Sequence, residues 1–129
     1  MNGRLVVFCC ERSGIPAWRQ AEAGGGLPEA MQVVSVPCAG RIGVVNLLKA
    51  FEEGAAGVMV FACMQDSCQS LRGNVHAEKR TESARQVLAA VGMAPERLEC
   101  HTISPPMAQE FRERVWAMMG KVGVEESKG

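Results

Sequence analysis

The chain has 129 residues, and fourteen Lys and Arg against fourteen Asp and Glu leave no formal net charge. That length supports one domain with a proper core, while the balanced charge argues against a nucleic-acid binder or a polybasic membrane surface. No apolar run approaches the roughly 18 residues of a spanning helix, so the expected partner is a protein or a small molecule.

Met1-Asn2-Gly3-Arg4 leads directly into a strand, without the apolar segment and cleavage site of a secretory signal. The expectation is a soluble, cytoplasmic protein with no membrane insertion. The first strand covers about Arg4 to Cys9, and Ser13-Gly14-Ile15-Pro16 reads as a turn and helix entry before a short helix through Trp18 to Ala23. Gly24-Gly25-Gly26-Leu27-Pro28 is a connector, and a second strand runs from about Gln32 to Pro37. Val44, Val45, Leu47, Leu48 and Phe51 then recur with a helical period, which predicts a core-facing stripe ended by Gly54.

The third strand, Gly57 to Ala62, is apolar throughout, as a strand covered on both faces would be. A polar loop from Met64 to Asn74 precedes a helix near His76 to Val91, with Ala84, Val87, Leu88 and Val91 facing inward and Gly92 stopping it. The last strand is about Leu98 to Ile103. Ser104-Pro105 reads as the N-cap and first-turn proline of a final helix, whose buried face is Met107, Phe111, Val115, Met118, Met119 and Val122. Alternating strands and helices predict an α/β fold, a small doubly wound, flavodoxin-like or Rossmann-like parallel sheet of about four strands. Residues 1–122 are expected to form a single domain, and 123–129 a solvated tail.

Three strands run straight into cysteine, at Cys9-Cys10, Cys38 and Cys63, and Cys68 follows five residues after the last. In open α/β sheets, ligands collect at the carboxyl ends of the strands, so Cys10, Cys38, Cys63 and Cys68 gather four thiols at one functional edge. Six cysteines in a reducing cytosol point to metal or redox chemistry rather than a disulfide framework. Four thiolates suit an iron-sulfur cluster, with [2Fe-2S] and [4Fe-4S] both open.

Other accounts compete. Any one cysteine is readily a core residue. Structural zinc sites usually show paired C-x2-C knuckles, which this chain lacks, and the C-x-x-C of a thiol oxidoreductase is also missing. Cys9 and Cys10 point to opposite faces of a strand, so one of them is expected to ligate, while Cys100 is assigned to the core. His76 and His101 have no ligand-like spacing. No triad, carboxylate pair or dinucleotide fingerprint stands out, which favours electron transfer over bond-making catalysis and leaves no catalytic residue to name. Arg12, Arg41 and Arg72 closely follow cysteine loops, with Asn74 nearby. They read either as charge compensation for an anionic cluster and docking to a partner, or as solvated loop charges.

Phe8-Cys9-Cys10, then Cys38-Ala39-Gly40-Arg41-Ile42, then the stretch from Leu48 to Val58 resemble successive blocks of one family. That family is the delta subunit of methyl-viologen-reducing hydrogenase, also called the hydrogenase iron-sulfur subunit. Cys63-x4-Cys68 followed by Arg72-Gly73-Asn74-Val75-His76-Ala77-Glu78-Lys79-Arg80 continues the resemblance, and Pro95-Glu96-Arg97-Leu98 is similar to its later helix-to-strand connection.

The resemblance implies a small electron carrier with a [2Fe-2S] cluster. It would relay electrons between a hydrogenase or other dehydrogenase and a heterodisulfide reductase A-type flavoprotein. Carried over, Cys10, Cys38, Cys63 and Cys68 match family cysteines and are the expected ligands; by their place after the cysteine loops, Arg41, Arg72 and Asn74 are expected around the cluster. Where the family has a further cysteine three residues after the first, this chain has Ser13. Met64 and Gln65 stand where the family has histidine and proline. The alternative function is a structural adaptor of a redox complex, holding zinc or no metal; a thiol-redox enzyme using Cys9 or Cys10 is a third.

Overall fold

The computed structural model describes residues 4–63 and 73–123, with backbone alone for 73 and 74. Four strands, β1 (Arg4–Cys10), β2 (Met31–Val36), β3 (Ala55–Cys63) and β4 (Leu98–Ile103), form one sheet. All neighbours are parallel, in the order β2-β1-β3-β4. Four helices complete an α/β fold: α1 (Gly14–Ala23), α2 (Val44–Glu52), α3 (Gly73–Ala90) and α4 (Ala108–Val122).

The strand alternation sorts the core into two layers. Val6, Phe8, Val58 and Val60 face α2 and α3, where Leu47, Phe51, Ala84 and Leu88 pack on them. Leu5, Val7, Met59 and Phe61 face α1 and α4, against Ala17, Ala21, Phe111, Val115 and Met118. Every residue of β3 is buried, as its unbroken apolar run predicts. Phe61 and Phe111 anchor the second layer, with ring centroids 4.5 Å apart.

Helices thus cover both faces, and the chain order reverses between β1 and β3. Excursions from the central pair run to β2 on one side and to β4 on the other. This is the doubly wound arrangement, and its crevice opens at the carboxyl ends of β1 and β3, where diverging connections leave room for a ligand.

Several boundaries and faces depart from the sequence expectations. The first helix starts at Gly14, at the front of the expected turn and helix entry, because the turn after β1 is tight enough for Ser13 to be its cap residue. Val45, Val87 and Val91 do not face the core: they are 74%, 42% and 67% exposed. Helix α2 is short, and its inner face is Leu47, Ala50 and Phe51, buried, with Val44 and Leu48 partly buried beside them. Ser104 does not cap the final helix. It accepts the Met107 N–H at 3.0 Å in a turn, and α4 begins three residues later than a Ser104 cap with proline in the first turn would put it.

Gly92 follows α3 with φ of 87°, the left-handed conformation that ends helices. The triple-glycine connector is held in position. Arg112 of α4 donates to Ala21 O and Gly25 O, both at 3.2 Å, and Trp116 Nε1 donates to Gly26 O. The expected polar loop lies outside the described residues up to its last two positions, and residues 124–129 of the expected tail do as well. Among the described residues no helix is long and apolar enough to cross a membrane.

Candidate metal centre

Strand β1 ends at Cys10 and its neighbour β3 ends at Cys63, with Cys9 in register with Phe61. The two strand ends meet at the crevice, and the sulfurs of Cys10 and Cys63 lie 3.4 Å apart, buried. Two sulfurs on one tetrahedral metal, at metal–sulfur distances of about 2.3 Å, would stand about 3.8 Å apart. The pair is therefore arranged as adjacent ligands of one tetrahedral ion need to be, and thiolates are the donors that iron-sulfur clusters and zinc accept.

The start of α1 completes this corner. The Gly14 N–H donates to Cys10 Sγ at 3.3 Å, and the Ser13 hydroxyl donates to Cys63 Sγ at 3.5 Å. The unpaired N–H groups and positive dipole end of a helix favour negative charge close by, which a cysteine sulfur takes on when it binds a metal. Glycine is required at position 14: a Cβ there would lie 2.9 Å from Cys9 Cα and Cβ, so only glycine lets the helix start this close to the strand.

Cys9 and Cys10 part as the strand alternation predicts. Cys9 is buried in the α1–α4 layer, where burial, reinforced by the adjacent Cys10, pushes its thiol far above the ordinary range. Such a thiol stays protonated and packs as a small hydrophobe. Cys100 is also a packing residue, against the other layer. Burial pushes its pKa up to about 11; the Thr81 hydroxyl opposes this and the Glu78 carboxylate adds to it.

Cys38 follows β2 and caps a short 3-10 turn, Ala39–Arg41, by accepting the Gly40 N–H on Sγ at 3.4 Å. That turn packs on β1, β3 and α3. Arg80 of α3 ties it down, donating to Gly40 O and, at 3.4 Å, to Ile42 O. Arg41 sits in the same turn with its side chain exposed.

Of the expected ligands, the structure brings Cys10 and Cys63 into contact and holds Cys38 in a braced turn after the neighbouring strand. Among the described residues, no three His, Cys, Asp or Glu side chains gather as a metal site. Cys68 and Arg72 lie outside the described residues, and Asn74 is described by its backbone alone, in the first turn of α3. The two expected bystander histidines are apart from this corner. His76 is exposed, and His101 on β4 pairs with Glu99 at 2.8 Å and stacks near Phe61.

Sequence reasoning singled out Ser13 as the place of a family cysteine without giving it a contact, and it missed Arg80. Ser13 reads as a turn residue, although its place three residues after Cys10 and one before the helix would direct a short polar side chain at the strand end. Arg80 carries no local signal, because its targets are backbone carbonyls about 40 residues away.

Comparison with known proteins covers the stretch of chain that builds this corner. The family model of the methyl-viologen-reducing hydrogenase delta subunit matches residues 5–124. The chain is 34% identical over 108 residues to the vhu iron-sulfur subunit of the F420-non-reducing hydrogenase of Methanopyrus kandleri, covering 83% of this chain and 82% of that one. It is 30% identical over 126 residues to the protein of the same name from Methanocaldococcus jannaschii, covering 95% and 92%. It is also 31% identical over 88 residues to the A-type component of the ferredoxin:CoB-CoM heterodisulfide reductase of Methanosarcina mazei. There the match takes in 68% of this chain but 11% of the much longer relative.

Proposed function

The chain belongs to the methyl-viologen-reducing hydrogenase delta subunit family, and from that premise we propose that it is a noncatalytic electron-transfer subunit carrying an iron-sulfur cluster. The observation that carries this reading is the sulfur pair of Cys10 and Cys63, 3.4 Å apart at the crevice of a doubly wound sheet. The names of the relatives, iron-sulfur subunits of hydrogenases, support the same cofactor class.

Cys10, Cys38, Cys63 and Cys68 are the proposed ligands, and the cluster type proposed is [2Fe-2S], which four cysteines satisfy. When bound, the cluster supplies a one-electron couple. The protein's own part is to hold thiolates on rigid strand ends, to direct the Ser13 and Gly14 donors at two of the sulfurs, and to keep water from the buried pair. Arg41, Arg72 and Asn74 are proposed around the cluster, to offset its negative charge and to meet a partner.

The proposed partners are a hydrogenase or other dehydrogenase on one side and a heterodisulfide reductase A-type flavoprotein on the other. A similar segment within the heterodisulfide reductase component of Methanosarcina mazei supports the second. We propose a single domain over residues 1–122 acting in the cytoplasm.

The test is iron and acid-labile sulfide content, with visible and electron paramagnetic resonance spectra, on protein purified without oxygen. About two iron and two sulfide per chain is the expected result. Zinc, or no metal, would overturn the cluster and favour a structural adaptor that has kept the scaffold.

A further inference from the structure

Ser13 is the cap residue of α1, yet its side chain makes no hydrogen bond to the helix. Serine at that position normally accepts an N–H of the first turn, a contact worth about 1 kcal/mol. Here the backbone has φ −129° and ψ −47°, outside the extended conformation typical of a cap. The side chain is 1% exposed, and its hydroxyl is directed at Cys63 Sγ. The usual capping contact has been given up for a bond to sulfur.

Each sulfur of the pair thus receives a donor from one of two consecutive residues, Cys63 from Ser13 and Cys10 from Gly14. The two differ in what can vary. The Gly14 donor is backbone and fixed by the helix, whereas the Ser13 donor is a side chain. A donor aimed at a metal-bound sulfur stabilises the state with more negative charge on that sulfur, which is the reduced state. A neutral hydroxyl is also a poor competitor for a soft metal beside thiolates, which fits it to donate to a ligand rather than to replace one.

We infer that Ser13 is a positioning residue whose hydroxyl, donated to the Cys63 sulfur, raises the reduction potential of the metal centre that Cys63 and Cys10 hold. This inference rests on the iron-sulfur reading above.

The experiment compares wild type, Ser13→Ala and Ser13→Thr, purified without oxygen, for iron content and for midpoint potential by redox titration of the visible spectrum. Ser13→Ala deletes one oxygen and is expected to keep wild-type iron. At a fixed potential its ratio of reduced to oxidised centre should fall by up to about tenfold, equivalent to about 59 mV for a one-electron couple. Ser13→Thr, which keeps the hydroxyl, should restore the ratio. Wild-type iron with an unmoved potential in Ser13→Ala overturns the inference alone. Iron lost from Ser13→Ala also overturns it, since the side chain then holds the metal instead of tuning it. A wild-type protein without iron overturns the cluster reading, and this inference with it.

Discussion

Cys10 and Cys63 are 53 residues apart in the chain, and their sulfurs are 3.4 Å apart in space. The contact follows from adjacency of β1 and β3, two parallel strands whose carboxyl ends stop within one residue of register. Helix α1 then begins against both sulfurs, so a crossover connection, rather than any local motif, assembles the corner.

Cys9→Ala and Cys10→Ala should behave differently despite being neighbours. Cys10→Ala is expected to remove the iron-dependent visible absorbance. Cys9→Ala should leave it in place and cost about 1 kcal/mol of stability, because Cys9 only fills the opposite layer. Spectra and urea unfolding of the two variants check this, and loss of absorbance in Cys9→Ala would contradict it.

Gly14→Ala forces a Cβ to within 2.9 Å of the Cys9 backbone, which strand pairing holds in place. The helix start must shift, and a destabilisation of about 1–3 kcal/mol is expected. Because the Gly14 N–H reaches Cys10 Sγ, the same variant should bind iron less tightly, as measured by its loss to a chelator over time.

Arg80→Met keeps the apolar stem and removes the donors to Gly40 O and Ile42 O. A loss of about 1–3 kcal/mol is expected from carbonyls left without their charged partner. Amide exchange at Arg41 and Ile42, whose N–H groups bond Cys38 O and Ala39 O, should quicken while exchange in β3 stays slow. Unchanged protection at those two amides would show that the turn is held by other means.

Glu99 gives a pH dependence with a definite sign. Burial pushes its carboxyl up, but hydrogen bonds from Lys121 and His101, together with charge attraction, outweigh burial and hold it below the ordinary value. A carboxylate depressed in the folded state stabilises fully above its unfolded value of about 4.3, and that stabilisation is lost as pH falls through the folded value. Wild type should therefore exceed Glu99→Gln in urea midpoint at pH 7, and the gap should narrow as pH falls below that unfolded value. A gap that does not depend on pH would assign the effect of the substitution to packing.

Leu88 and Val91 lie three residues apart on or just after α3, with opposite exposure of 2% and 67%. Leu88→Ala should cost about 2–5 kcal/mol, and Val91→Thr should stay within about 0.5 kcal/mol of wild type. Chemical denaturation distinguishes them, and similar losses would mean that Val91 is covered in solution.

The sequence by itself determined the layer order and the thiols. Apolar runs of strand length alternating with helical periods leave few topologies open, and the limits of β4 are legible to the residue. The separation of Cys9 from Cys10 follows from the two-residue period of a strand. Faces of short helices are less legible: Val45, Val87 and Val91 fit an apolar stripe, but a helix packed on a sheet buries only a narrow part of it. The tertiary structure alone decided which cysteines touch, that Ser13 serves sulfur rather than its helix, and that Arg80 braces the Cys38 turn. Each of these is a contact between segments far apart in the chain, set by strand order and helix approach, and local propensity carries no information about either.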